Sequence, residues 1–362
     1  MHGFTATRRS AARDRDRHER RRTLVGGLIG ALFVTIISAI FVICFIGGLH
    51  SPGPRSVPVG LVGSPALSSR ASSAVGRQAP GAFTFSSYPS EAAARAAITR
   101  RTIDAALVPG LTAEHLLVAT AVSPAETNAI IKGFSAAASR AHVPLTVQNI
   151  RPLHSSDPEG LSQVFFVVAL LAPSLAFGNQ LINRIGPRLN EFWHLAIITV
   201  YALIISAVAT AIADGVIGAL TGAPWAIFGV GALLAFAAAV MSAAATRWAG
   251  GIGYLVVLLL FVPVGISSSG TTLGPHMITQ WYADLGKALP PGTAQPVVRN
   301  VTYFNSNAIL DPLLVLSAWA LAGVIALALA AFLHPPTRQP GQNPQQTPQA
   351  VQPTHGQAAT TT

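Results

Sequence analysis

The sequence predicts a polytopic α-helical membrane protein with six transmembrane helices and a small α/β extracytoplasmic domain between helices 1 and 2. Three observations carry this. Apolar runs fall at 24–46, 161–182, 192–213, 224–246, 251–269 and 310–333, each near or beyond the ~20 residues that a helix needs to cross a ~30 Å hydrocarbon core. The chain of 362 residues is 51% hydrophobic and only 10% charged, where soluble domains carry about 25% charged residues. The layout is one run, then a soluble-looking stretch over 47–160, then five runs in close succession.

The N-terminal segment 1–23 holds eight Arg against Asp14, Asp16 and Glu19. It reads as a disordered basic cytoplasmic tail that favours anionic lipid, because it abuts a membrane span; nucleic acid is not an expected partner. The run 24–46 is too long for a signal core and no Ala-x-Ala follows, so it is expected to stay as an anchor. Arg20, Arg21 and Arg22 hold its start in the cytoplasm. Six crossings then place both termini inside. Arg184 and Arg188 in loop 183–191, Arg247 in loop 247–250 and Arg338 after the last run all fall on that side. Loop 214–223 on the opposite side has Asp214 and no basic residue. Residues 335–362, rich in Pro, Gln and Thr, are expected to be a disordered cytoplasmic tail. Arg far outnumbers Lys, a composition of a high-GC bacterium, which puts the chain in a bacterial cell membrane.

The 47–160 segment reads as alternating strands and helices. Val57–Val62, Ala82–Tyr88, Ile103–Val108, Leu116–Val122 and Leu145–Ile150 are expected strands. Glu91–Arg101 is an expected helix with a Glu91–Arg95 pair at i,i+4. Ser123-Pro-Ala-Glu126 is a helix start, with Ser as cap, Pro at the first position and Glu closing a capping box, and the helix should reach Ala141. Such alternation argues for an α/β layer domain. The only cysteine, Cys44, lies in the first run, so no disulfide supports this domain and it is expected to fold on its own core. His115, His142 and His154 are scattered, and the Asp and Glu residues here read as solvated charges. No catalytic set, metal-ligand spacing or phosphate-binding Gly-x-x-x-x-Gly-Lys-Ser/Thr loop appears. The chain is therefore not expected to be an enzyme or to hold a cofactor of its own.

In the membrane half, intramembrane polar groups are the functional suspects. Asn179 and Gln180, beside Asn183, end the second span, and Asp214 ends the third, where the expected reading is a solvated boundary residue. His194 stands alone beside Trp193. Ala207, Ala211, Gly215 and Ala219 form a small-residue stripe, as do Gly26 and Gly30, which permits close helix contacts. Pro173 and Pro263 should kink spans two and five. In loop 270–309, Met277, Ile278, Trp281, Tyr282, Leu285, Ala288 and Leu289 fall on one helical face, and Pro290-Pro-Gly292 should stop that helix. It is expected to lie at the outer leaflet, as a gate or a passive cap.

Several short motifs resemble the membrane subunit of ABC-2-type exporters, in the phage-infection-protein-like branch. They are Val57-Pro-Val-Gly-Leu-Val-Gly63; Tyr88, Glu91-Ala92 and Ile103–Pro109; Asp157-Pro-Glu-Gly160; and Leu289-Pro-Pro-Gly292, Arg299-Asn300 and Tyr303-Phe304. The resemblance spans roughly 24–334. It implies an export permease for an amphiphilic, lipid-like or drug-like substrate, a dimer with a second copy or paralogue, and a separate P-loop ATPase that supplies ATP hydrolysis. Arg184, Arg188 and Glu191 would then form the ATPase-contact loop. Asn179, Gln180, Asp214, Trp281, Tyr282, Pro290, Gly292 and Arg299 would be pathway or gate residues. This chain departs from the family in its short first cytoplasmic loop, and its N-terminal tail is not amphipathic. The alternative is a non-transporting receptor or scaffold whose extracytoplasmic domain, residues 53–155, binds a partner by itself.

Overall fold

The computed structural model describes residues 3–333 apart from 111, 187–188 and 271–272. The first helix, α1 (Gly3–Val42), runs on through a π-helical turn to Gly47. Its backbone is helical from Gly3, which corrects the expectation of an irregular tail over 1–23. The expected tail 335–362 lies outside the described residues.

The segment after α1 forms β1 (Val57–Val62), α2 (Pro65–Gln78), β2 (Phe83–Tyr88), α3 (Glu91–Thr99), β3 (Ala105–Val108), β4 (Glu114–Val118), α4 (Pro124–Ala141) and β5 (Leu145–Asn149). The five strands make one mixed sheet in the order β2-β1-β3-β4-β5, with only the β3–β4 pair antiparallel. Side chains alternate between two faces, as a pleated strand requires. Val57, Val59, Leu61, Leu107, Leu116 and Val118 pack with Val75 of α2 and Ile130 and Phe134 of α4. Ala106, Val108 and Leu117 face the other way, toward Ala94, Ala97 and Ile98 of α3.

Both expected helix starts form. The Ser90 hydroxyl accepts from Ala93 N–H, and Glu91 Oε1 lies 2.6 Å from Arg95 Nε. The Ser123 hydroxyl accepts from Glu126 N–H, with Pro124 at the first helical position. Helix α2 is absent from the sequence expectation. It is Ser- and Ala-rich, buries Val75 and Ser68, and is held by packing on α4 rather than by an apolar stripe.

The membrane half comprises α5 (Ser162–Gln180), α6 (Glu191–Thr210), α7 (Pro224–Leu259), α8 (Gly265–Ser268), α9 (Gln280–Lys287), α10 (Pro290–Tyr303) and α11 (Leu310–Leu333). Among the described residues, five helical stretches are long and apolar enough to cross a membrane: Arg20–Gly47, Ser162–Ile185, Glu191–Val216, Pro224–Ser268 and Leu310–Ala330. These are consistent with a multi-pass membrane protein, and they stand beside a small α/β sheet domain. The fourth stretch, at 45 residues, is broken at Ala249 (φ −134°) and Gly250 (φ +58°). The left-handed Gly250 turns the backbone sharply, and Gly253 then lies against the backbone of Ala245. Residues eight apart are ~12 Å apart along a straight helix, so this contact marks a helical hairpin.

Helix α7 is the hub, with α5, α6 and α11 packed on it. Gly178 of α5 meets the α7 backbone at Ala239, and any Cβ there would clash. Of the stripe expected from the sequence only Ala219 is buried, while Ala207, Ala211 and Gly215 face outward, and Gly26 and Gly30 meet nothing among the described residues. Pro173 sits inside a continuous α5, whereas Pro263 falls in a π-helical turn, Leu260–Val264, which absorbs its missing N–H.

Two expectations are revised at the join between the halves. Helix α9 ends at Lys287, just before Pro290-Pro-Gly292, as a stop signal requires. The same residues also start α10, a helix in which twelve of the fourteen residues are buried against α5, α7, α8 and α11. Proline at a first helical position loses no hydrogen bond, which is why this signal also reads as a start. The α/β domain has a core of its own on the α2 and α4 side of the sheet, but not on the other. Its α3-side face is completed by Tyr303 and Phe304 from the end of α10.

Candidate functional site

The join is held by polar contacts between distant segments. Gly53 N–H and Arg55 N–H donate to the carbonyls of Met277 and His276. The Ser123 hydroxyl donates to the Leu273 carbonyl at 2.9 Å, and Ser156 donates to the Gly218 carbonyl at 2.7 Å. The Asp157 carboxylate, from the expected re-entry motif, accepts from the N–H groups of Leu161 and Ser162 and so caps α5.

At the centre of this join lies a cluster of three titratable groups. His276 Nδ1 is 3.0 Å from Glu126 Oε1 and 3.3 Å from Asp104 Oδ2. Glu126 is fully buried and Asp104 is 4% exposed. Arg101 Nη1 reaches the other Asp104 oxygen at 2.9 Å, and its guanidinium lies 4.8 Å over the Phe304 ring. This corrects the reading of Asp104 and Glu126 as solvated, whereas Glu91 and Glu159 are exposed as expected. Glu126 does not close a capping box, because its carboxylate turns to His276.

Burial and the Asp104 charge together raise the Glu126 carboxyl to about 7, against the pull of His276. Burial lowers the basicity of His276, but its hydrogen bonds to Asp104 and Glu126 and their charges outweigh this and hold it up at about 9. Burial also pushes Asp104 up, yet Arg101 with His276 and Glu126 keeps it below the ordinary carboxylate value. The three ligand-type atoms lie within 4.8 Å of one another, and two carboxylates with an imidazole are a donor set for a divalent metal. The charge balance argues otherwise. A metal needs the Nδ1 lone pair that the bound proton occupies, and Arg101 already neutralises Asp104. The cluster is an ion-pair clasp that fastens β3 and α4 to the 275–277 turn.

Beside the clasp is a cavity of about 400 Å³ at the domain-side end of the bundle. Its lining includes Arg101, Arg299, Lys287, Asp311, Pro296 and Val315. Arg299, on α10, is 8% exposed and donates from Nη1 to the Val122 carbonyl at 2.7 Å. Burial and the neighbouring Arg101 lower its guanidinium to about 10. A second cavity, about 280 Å³, lies at the far end of the α/β domain between α2 and α4. It opens beside the carboxyl ends of β1 and β3, at Leu61 and Leu107, where the chain connections diverge.

The residues singled out in the sequence scatter around this site. Gly292 and Arg299 line the larger cavity, and Pro290 is buried at the start of α10. Tyr282 is buried, with its hydroxyl on Ser267 and 3.4 Å from the Cys44 carbonyl, which ties α9 to the end of α1. Trp281 beside it is 69% exposed. Asp214 is half-buried in the π-helical turn that ends at Val216.

Asn179 accepts from Asn183 and from Thr246, so it joins α5 to α7 at the opposite end of the bundle, and Gln180 is exposed beside it. In the loop read as an ATPase contact, Arg184 is exposed and Arg188 lies outside the described residues. Glu191 turns inward, 3.1 Å from His194 Nδ1 and 3.9 Å from Arg247. His194 is therefore not alone: it is 1% exposed, and its Nε2 donates to the Gly186 carbonyl.

Comparison with family models, curated proteins and solved structures found no match.

Proposed function

We propose that this chain is the membrane-spanning permease subunit of an ABC-2-type exporter that moves an amphiphilic substrate outward. In this reading the stretch 224–268 crosses the membrane twice, which makes six spans and places both termini in the cytoplasm of a bacterium. A second copy or a paralogue completes the pathway, and a separate P-loop ATPase provides the energy. The supporting observation is the 400 Å³ cavity under the α/β domain. It lies at the first turns of α11, is roofed by α9 and α10, and joins an apolar wall to a cationic end. That is the shape of a release site for a molecule with a tail and a head, and its volume falls in the range of small-molecule sites.

Affinity purification of the full-length protein from its native membrane tests the partner. A stoichiometric P-loop ATPase is expected, and its association and export should be lost together in the Arg184→Glu, Arg188→Glu double variant. Intact export in that variant sinks the docking proposal. The α/β domain's own 280 Å³ cavity favours one second reading, a receptor whose external domain binds a ligand.

A further inference from the structure

Arg299 is the anomaly of the site. It is a buried cation, and among the described residues no carboxylate lies within ion-pair distance of it. Its Nε has no hydrogen-bond partner; the strongest charge acting on it is another guanidinium, Arg101, already committed to Asp104, while the Glu126 and Asp157 carboxylates act on it only from beyond ion-pair distance. Buried charges are ordinarily paired, because an unpaired one forfeits its hydration with no return. Both guanidinium groups line the same cavity, Lys287 stands at its rim, and Asp311 is its one acidic lining residue. The remaining wall, with Pro296, Val315 and Ala283, is mostly apolar.

We infer that this cavity binds the anionic headgroup of an amphiphile, a phosphate or carboxylate, with Arg299 and Arg101 as its donors and the Val315 wall against its apolar part. The planar fork of Arg suits both anions, and the anion supplies the direct ion-pair partner that Arg299 lacks. The inference deepens the permease reading and rests on it for the ligand's fate, though not for its binding.

The test uses full-length protein in phosphatidylcholine nanodiscs, with native mass spectrometry of retained lipid. Phosphatidylglycerol, phosphatidylcholine and inorganic phosphate are titrated separately. Phosphatidylglycerol is expected to bind roughly ten- to a hundredfold more tightly than phosphatidylcholine, the range for a hydrogen bond to a charged group. Arg299→Gln should abolish the preference. Because a buried site tolerates change poorly, Val315→Trp is the second variant: it leaves every charge in place, fills the cavity, and should abolish the preference too. Equal affinity for the two lipids, or a preference that survives Val315→Trp, overturns the inference. Inorganic phosphate binding as tightly as phosphatidylglycerol makes this a free-anion site and overturns the amphiphile assignment. An intact preference without any ATPase partner or export removes the permease reading alone.

Discussion

Raising the pH from 6.5 to 9 is expected to loosen the seat of the α/β domain by about 2–3 kcal/mol, through His276. Its folded pKa is about 9, against 6.5 for the free side chain. A raised pKa means that the seated state binds the proton more tightly than the released state does. The stabilisation is therefore fully present below 6.5 and is lost as pH climbs through 9. A shift of about 2.5 units at 1.36 kcal/mol per unit sets a ceiling of about 3.4 kcal/mol, most of which is spent by pH 9.

Glu126 acts in the same direction lower down. Raised from 4.5 to about 7, it gives stability that fades between those values, so the seat weakens across the whole window from 4.5 to 9. Arg299, at about 10, stays mostly charged throughout. The assay is hydrogen–deuterium exchange of full-length protein, corrected for intrinsic rates, on peptides spanning 119–133 and 273–279. His276→Gln should cost about 3–5 kcal/mol at pH 6.5, the usual result of removing one partner from a buried ion pair, and should flatten the curve above pH 7. Parallel pH curves for the wild type and the variant would refute the clasp.

Three further outcomes follow from local geometry. Gly253→Leu should break the 245–253 hairpin, since its Cβ meets the Ala245 backbone; a lost monodisperse peak on size exclusion checks this. Ser123→Ala removes both the cap on Glu126 N–H and the bond to Leu273; it should cost about 1–2 kcal/mol, seen as faster exchange at 124–130 and 273. Glu191→Ala should lower the melting temperature, because His194 is buried against it and a buried group stripped of its partner costs about 1–3 kcal/mol. An unchanged melt would show that the pair contributes nothing.

The parts of the fold that obey one local rule were legible in the sequence. β1 is a short apolar run, β2 alternates with period two, α4 announces itself at Ser123-Pro124, and the spans are apolar over the length that a bilayer dictates. What was hidden depends on residues far apart in sequence. Helix α2 has no apolar stripe of its own and is fixed by α4. The Pro290-Pro291 pair both stops α9 and starts α10, and only the burial of α10 reveals the second role. Glu126 and His276 are 150 residues apart, and no spacing rule joins them. Arg299 entered through a resemblance rather than through any pattern that foretold its burial.

The bond between the two halves is also a hydrophobic one, and this bears on whether the α/β domain works alone. Phe304 is fully buried and Tyr303 nearly so, both within the cluster formed by Ile98, Ala106, Val108 and Leu117. An excised 53–155 fragment loses both aromatics and uncovers that face. Truncating a buried Phe costs about 3–5 kcal/mol, and a whole domain is stable by only about 5–15 kcal/mol. The fragment should therefore bind a hydrophobic dye and melt broadly. Phe304→Ala in the full chain should raise exchange across α3 and β3 while leaving the α2 and α4 side protected. If instead the fragment melts cooperatively and binds no dye, the α/β domain is self-sufficient, and the receptor reading gains what the permease reading loses.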